Sequence, residues 1–227
     1  MTKLSVAVLS VARRQLSNLG PPTLDEELKL SYQGYKLIAG IDEAGRGAIA
    51  GPVVAAVVIL PQSVGSATWS TLVRDSKELS PVQRSLLFEL IIKEAIGVGV
   101  GVVDPTTIDA IGILAATQLA MCNAVAKLPY VPDFLLLDCM KLPQLAIEQK
   151  SIVKGDKLSL SIACASIVAK VTRDNIMIDL DRRYPGYGLA EHKGYGTAKH
   201  LAQLRRLGPS PIHRCTFAPV KELAISP

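Results

Sequence analysis

The sequence predicts an α/β domain built on a mixed sheet. Three observations carry this. A block of short β-branched apolar runs comes first, a strict Gly-Val alternation follows, and beyond it helical patterns alternate with a buried apolar run. With 227 residues, the chain is long enough for one domain of ordinary to large size. It is 49% apolar but only 4% aromatic, so the core must be mainly aliphatic.

Taken in order, residues 1–35 read as an N-terminal extension of unknown role: a short apolar segment, Gly20-Pro21-Pro22, then a charged stretch from Asp25 to Lys29 that forms a short helix. Leu4 to Ala12 weakly imitates a secretory signal, but Arg13 and Arg14 follow at once, so the chain is expected to stay in the cytoplasm. Residues 36–227 are expected to form the working domain. Lys36 to Asp42 is a strand, Gly45 to Gly51 a glycine-rich corner, and Val53 to Leu60 a second, fully buried strand. Gly97 to Val102 alternates glycine with valine, which requires something to pack closely on the glycine face.

Ser80-Pro81 opens a helix that runs to Ala95, and another is predicted from about Thr106 to Lys127. Phe134 to Leu137 is a short buried strand ending at Asp138. A long helix follows from about Ser159 to Arg182, and a last short one runs from Thr197 to Gly208-Pro209. The longest apolar run, Ala48 to Leu60, contains Gly51 and Pro52 and is well short of the ~20 residues a membrane helix needs. Four dispersed cysteines fit neither a disulfide framework nor a zinc site.

The chemistry gathers at predicted strand ends. Asp42-Glu43 follows the first strand, Asp138 ends a later one, and Asp156 follows the apolar pair Ile152-Val153. Carboxylates crowded together raise each other's pKa unless a cation lies between them. A set of oxygen ligands without Cys or His favours Mg²⁺ or Mn²⁺. Gly45-Arg46-Gly47 offers two positions that let backbone approach a ligand, with a guanidinium between them suited to phosphate. A dinucleotide-binding turn is excluded there, because a pyrophosphate would face Asp42 and Glu43 and a strand begins where the phosphate-binding helix should start. The net charge of +5 fits an anionic partner.

Gly40-Ile41-Asp42-Glu43-Ala44-Gly45-Arg46-Gly47, running on through Ala50-Gly51-Pro52, closely resembles the signature of the type 2 ribonucleases H, the ribonuclease HII family. Further motifs match in order. Among them are Asp75-Ser76-Lys77-Glu78-Leu79-Ser80, Leu137-Asp138, Lys154-Gly155-Asp156, Arg173-Asp174, His192-Lys193-Gly194-Tyr195-Gly196-Thr197 and His213-Arg214, so the resemblance spans about residues 36 to 220. It implies a ribonuclease H-like fold, with a mixed five-stranded sheet flanked by helices and a C-terminal helical extension. It also implies a metal-dependent endonuclease that cuts the RNA strand of RNA–DNA hybrids and cuts 5′ of ribonucleotides embedded in duplex DNA. The products would carry a 3′-hydroxyl and a 5′-phosphate.

Resemblance assigns Asp42, Glu43, Asp138 and Asp156 as catalytic acids and ligands of Mn²⁺ or Mg²⁺ in a two-metal scheme. It assigns Gly45, Arg46 and Gly47, with Tyr195, to the ribose 2′-hydroxyl and the adjoining sugar. Ser76 and Lys77 are the favoured phosphate contacts, with Lys154, Lys170, Lys193 and Arg214 as further candidates. Asp174, deep in a helix, reads as half of a structural ion pair rather than a fourth acid. The expected partners are RNA–DNA hybrid and ribonucleotide-containing duplex DNA, acted on by a monomer away from membranes. Ala48 stands where the family usually has proline, Cys139 where it has glycine, and Cys164 where it has alanine. A non-catalytic nucleic-acid-binding protein is the competing reading, and the complete acidic quartet argues against it, because acids facing phosphates oppose binding unless a metal intervenes.

Overall fold

The computed structural model describes residues 20–225. The expectation about Leu4 to Ala12 lies outside these residues. Five strands form one sheet in the order β3-β2-β1-β4-β5. They are β1 (Ile38–Ala44), β2 (Val53–Ile59), β3 (Gly97–Val103), β4 (Phe134–Asp138) and β5 (Glu148–Ile152). The first three pair antiparallel, and β4 then lies parallel to β1 and β5 parallel to β4, so the sheet is mixed as expected. The fifth strand has no apolar signature because it is an edge: Glu148, Lys150 and their neighbours face water, and only Ile152 is buried.

Helices cover both faces. α1 (Asp25–Tyr32), α2 (Pro81–Glu94) and the long α5 (Leu160–Arg183) lie on one side, and α3 (Pro105–Ile111) and α4 (Ile113–Val125) on the other. The punctuation read from sequence holds. The Ser80 hydroxyl accepts from the Gln83 N–H while the Gln83 side chain accepts from the Ser80 N–H, Pro81 takes the first turn, and Ser159 caps α5. One helix from Thr106 to Lys127 was expected, but Gly112, at φ +80°, divides it into α3 and α4.

The glycine face of β3 is where α4 docks. A Cβ on Gly101 would lie 1.9 Å from the Ala120 carbonyl oxygen, and one on Gly99 would lie 2.1 Å from that of Ala124. The bare backbone of β3 therefore lets the helix rest directly on the sheet, with Val57, Ile59, Met121 and Val125 filling the layer between.

Two departures concern the ends of the chain. The described part of the N-terminal extension is not loose. Leu24 and Leu30 are buried, the Leu160 N–H donates to the Thr23 carbonyl at 2.8 Å, and the buried Glu27 carboxylate accepts from both hydroxyls of Ser159 and Ser161 at 2.6 Å. It braces the start of α5. At the other end, α6 (Leu189–His192) and α7 (Ala198–Leu207), the latter capped by Thr197, are followed by α8 (Ala218–Ile225), so the Thr197 helix is not the last. Together with Ile49, Met177 and Tyr187 these segments enclose a small separate core.

Because Gly101 meets backbone rather than a flexible side chain, Gly101→Ala is expected to lower unfolding free energy by about 3 kcal/mol. Val102→Ala, at a half-exposed position on the opposite face of the same strand, is expected to cost under about 1 kcal/mol. Urea denaturation of the two variants tests this, and equal losses would mean that β3 and α4 are not in direct contact.

Candidate active site

Sheet register brings two of the acids together. Ile41 pairs with Leu137 across the parallel β1/β4 ladder, so Asp42 and Asp138 are the next residues on adjacent strands, pointing to the same face. The η-turn Gly155–Lys157 that follows β5 brings Asp156 beside them. One carboxylate oxygen from each of Asp42, Asp138 and Asp156 lies within 4.8 Å of the others. Each strand-end acid is anchored: Asp42 accepts from the Glu43 N–H at 2.7 Å and Asp138 from the Gly155 N–H at 2.9 Å. Strand β4 stops there because Cys139 turns into the left-handed region at φ +48°, a conformation that favours glycine.

Glu43 has the opposite parity on β1 and is not part of this trio. It lines the same cleft, with its carboxylate 3.4 Å from the Arg46 guanidinium. The acids were expected at strand ends, yet β1 continues past Asp42 to Ala44, and Asp42 and Asp156 are buried. Burial, then Glu43 and Asp138, holds the Asp42 carboxyl well above the usual carboxylate range. Burial, then Asp75 and Asp138, pushes Asp156 up to about 6. Burial also raises Glu43, against the pull of Arg46. Burial works against the Lys77 ammonium as well, but Asp75, Asp156, Asp42 and Asp138 together outweigh it and raise its pKa. Three converging carboxylates, all hard oxygen donors, fit a divalent cation of the Mg²⁺ or Mn²⁺ type.

The cleft above the acids has a volume of about 440 Å³ and is lined by Asp42, Glu43, the Gly45-Arg46-Gly47 loop, Ser76, Lys77, Asp138, Ser166, Lys170 and Tyr195. Nine of the ten residues singled out from sequence lie on this lining, and the tenth, Asp156, is beside it in the carboxylate trio. Ser76 is buried, and its hydroxyl accepts from that of Ser166 at 2.8 Å. Lys77 is exposed on the wall, and Asp75 accepts its N–H at 3.0 Å. Asp174 pairs with Lys170 at 2.8 Å and lies 4.0 Å from Arg84, the ion pair expected of it.

Arg214 is a correction. As a candidate phosphate contact it should be accessible, but it is wholly buried and donates to the carbonyls of Gly45, Arg46 and Gly51 at 2.7–3.0 Å. Arg173, also buried, donates to Pro52, Lys193 and Ala50 carbonyls at 2.8–3.1 Å and lies 5.3 Å beneath the Tyr195 ring. A Cβ on Gly45, whose φ is +88°, would meet Arg173 Nε at 1.8 Å, so only glycine lets the loop close over this guanidinium. Ala48, in place of proline, is buried, and its N–H donates to the Gly45 carbonyl, a bond that proline lacks. Sequence reasoning missed this support role, because the motif pairs Arg173-Asp174 and His213-Arg214 mark cations without showing which way they face. The other lysines differ: Lys193 turns its ammonium to the Ala190 carbonyl, and Lys154 sits at φ +57° beside the trio.

Known proteins share this sequence and this fold. The family model described as Ribonuclease HII matches residues 39–220. A Ribonuclease HII of Dehalococcoides mccartyi is 55% identical over 202 residues, covering 89% of this chain and 95% of that protein. One of Acetivibrio thermocellus is 57% identical over 190 residues, covering 83% of this chain and 73% of its own. Among solved structures, the ribonuclease H2 of Pyrococcus horikoshii superposes with a TM-score of 0.70 at 25% identity, covering 83% of this chain and 97% of that one. Bst-RNase HIII in complex with Mn²⁺ shares the fold at 18% identity and a TM-score of 0.62, covering 92% of this chain and 71% of that one. Among the described residues, no helix is long and apolar enough to cross a membrane. The mixed five-stranded sheet with flanking helices is therefore the ribonuclease H-like fold, and the chain belongs to the ribonuclease HII family, the endonucleases that act on RNA–DNA hybrids.

Proposed function

We propose that this ribonuclease H cuts on the 5′ side of ribonucleotides embedded in duplex DNA as well as in the RNA strand of hybrids, by a two-metal mechanism that leaves a 3′-hydroxyl and a 5′-phosphate. The observation that carries the reading is the carboxylate trio set at a glycine-walled cleft whose lining also carries Arg46, Lys77 and Lys170. Asp42, Glu43, Asp138 and Asp156 are the proposed ligands of Mn²⁺ or Mg²⁺. Bound divalent ions supply charge stabilisation at the scissile phosphate and a water acidic enough to attack it.

The protein's own residues do the rest. Anchoring of Asp42 and Asp138 by the Glu43 and Gly155 N–H groups presets their oxygens before substrate arrives, so little reorganisation is needed at the moment of reaction. Gly45, Arg46 and Gly47 form the wall proposed to read the 2′-hydroxyl. Because Arg214 draws the Gly45 and Arg46 carbonyls inward, the loop's remaining polar groups are available to the ribose. Tyr195, a residue 37% exposed whose ring lies over Arg173 and Lys170, is placed to pack on the next sugar. Ser76 and Lys77 are proposed to hold the phosphate on the opposite wall. The unit acts as a monomer in the cytoplasm, with residues 36–227 as the catalytic domain and the segment from Gly20 to Tyr35 folded onto it as a brace.

Three outcomes test this. Asp138→Asn is expected to lower kcat on a duplex carrying a single ribonucleotide by about a thousandfold, with Kd changed by less than about threefold. Parallel loss of binding and cleavage would make Asp138 a structural residue. Tyr195→Ala is expected to lose about tenfold more kcat/KM on the single-ribonucleotide duplex than on a long hybrid, and equal losses would remove Tyr195 from recognition.

The third concerns charge. Asp156 has a folded-state pKa of about 6 against an ordinary 3.8, so the folded protein binds more protons than the unfolded chain between these values. Stability of the metal-free protein therefore falls as pH rises through that window and stays lower above it. After allowance for solvent screening at the open cleft, Asp156→Asn is expected to stabilise metal-free protein by about 1–2 kcal/mol at pH 7.5 and to give no gain at pH 3.5. Denaturation in EDTA at the two pH values measures it, and a pH-independent difference would contradict the burial of this charge.

A further inference from the structure

All three histidines of the chain lie in one buried cluster behind Tyr195. The His192 and His200 rings stack at 4.2 Å and 17°, and His200 Nε2 faces His213 Nε2 at 3.2 Å. Two nitrogens facing each other bond only if one carries hydrogen and the other does not. The cluster's outer contacts decide which. The Ser210 backbone N–H, 3.1 Å away, donates to His213 Nδ1, so a neutral His213 carries its hydrogen on Nε2 and donates to His200. His200 must then carry its hydrogen on Nδ1, which lies 2.9 Å from the Tyr195 carbonyl oxygen. Independently, the Gly194 N–H donates to His192 Nδ1 at 3.2 Å, which leaves the Nε2 hydrogen of His192 for the Tyr187 carbonyl at 2.8 Å. One tautomer set satisfies every contact with all three rings neutral. Burial, then the neighbouring His200, pulls His213 down to about 4, and burial lowers His200 as well, so both remain neutral at physiological pH.

The two ends of this arrangement grip one peptide turn. His192 holds the Gly194 N–H and His200 the Tyr195 carbonyl, on either side of the residue whose ring enters the cleft. At the far end, His213 pairs by a β-bridge with Ala50 and precedes Arg214, which holds the Gly45-Arg46-Gly47 loop. We propose that His200, with its tautomer set through His213, is a positioning residue that fixes the Tyr195 ring relative to the Gly45–Gly47 wall, and thereby sets how strongly a lone ribonucleotide is favoured over a long hybrid. This rests on the role given to Tyr195 above. His200 is wholly buried, and among the described residues its one side-chain hydrogen bond to a residue lining the cleft is to the Tyr195 carbonyl, so its effect is on recognition and not on the chemical step.

The two nitrogens of His200 are separable by substitution. In His200→Asn the side-chain amide takes the place of Nδ1 and keeps the donor to Tyr195. In His200→Gln it reaches the place of Nε2 and keeps the link to His213 but loses that donor. On a single-ribonucleotide duplex, His200→Gln is expected to raise KM about tenfold with kcat within about twofold of wild type, while His200→Asn stays within about threefold in KM. On a long hybrid both are expected to stay within about threefold.

Equal effects of the two variants, or loss of kcat rather than a rise in KM, would overturn the proposal. Tyr195→Ala separates it from the reading it rests on. If that variant shows the substrate bias and His200→Gln matches wild type, the positioning role fails and the role of Tyr195 stands. If Tyr195→Ala shows no bias, the role of Tyr195 fails first.

A second measurement needs no variant to fold. In wild-type protein labelled with ¹⁵N-histidine, long-range ¹H–¹⁵N correlation at pH 7.5 is expected to show His200 as the Nδ1–H tautomer and His192 and His213 as Nε2–H. A charged imidazolium, or His200 protonated at Nε2, would overturn the proposal outright.

Discussion

Two guanidiniums buried among backbone carbonyls hold the wall of the cleft to its floor. Arg173 comes from the helix that covers the sheet and Arg214 from the C-terminal segment, and neither forms an ion pair among the described residues. Burying such a cation costs several kcal/mol unless hydrogen bonds replace its hydration, and each side chain finds carbonyls of the glycine-rich corner to do so. The corner's fold follows from this: its carbonyls must turn inward, and Gly45 must lack a side chain. Burial, then the charge of Arg173, pulls Arg214 down to about 9, still above neutrality, so the cation persists. Carbonyl partners leave the positive field uncancelled beneath a surface that meets polyanions.

The acids pose the opposite problem a few residues away. Strand parity sets Asp42 and Asp138 on one face, where Asp156 joins them, and leaves Glu43 to the side, which the linear pattern Asp42-Glu43 conceals. Glu43 is balanced locally by Arg46, whereas the trio shares the more distant Lys77. The chain therefore gathers three carboxylates near the ammonium of Lys77, without a direct ion pair to any of the three among the described residues. Crowding of this kind costs stability, and a bound hard cation would relieve it.

Much of this was legible before any coordinates. Helix starts at Ser80, Ser159 and Thr197 were readable because capping is local chemistry, and the Gly-Val alternation foretold a close-packed face. Strand β5 was not, because an edge strand needs no apolar period, and the break at Gly112 was masked by an unbroken apolar pattern around it. Nine of the ten chosen residues reached the cleft because their motifs sit at strand ends and loops, which side-chain identity marks well. Arg214 was misplaced because sequence shows that a cation is present but not which way it faces, and the buried histidines stayed invisible because only folding brings residues 192, 200 and 213 into contact.

The order in which these parts occur along the chain has a consequence for synthesis. Asp42, Asp138 and Asp156 all precede the segment from Tyr187 to Arg214, which supplies Tyr195, the histidines and the second buried guanidinium. On the ribosome, the carboxylates therefore emerge first and the glycine-rich corner waits, incompletely anchored, for the last tenth of the chain. Under the proposed roles, a nascent or truncated polypeptide would hold the metal-binding acids before the wall that chooses the cut is anchored, and selectivity would be the last property the molecule acquires.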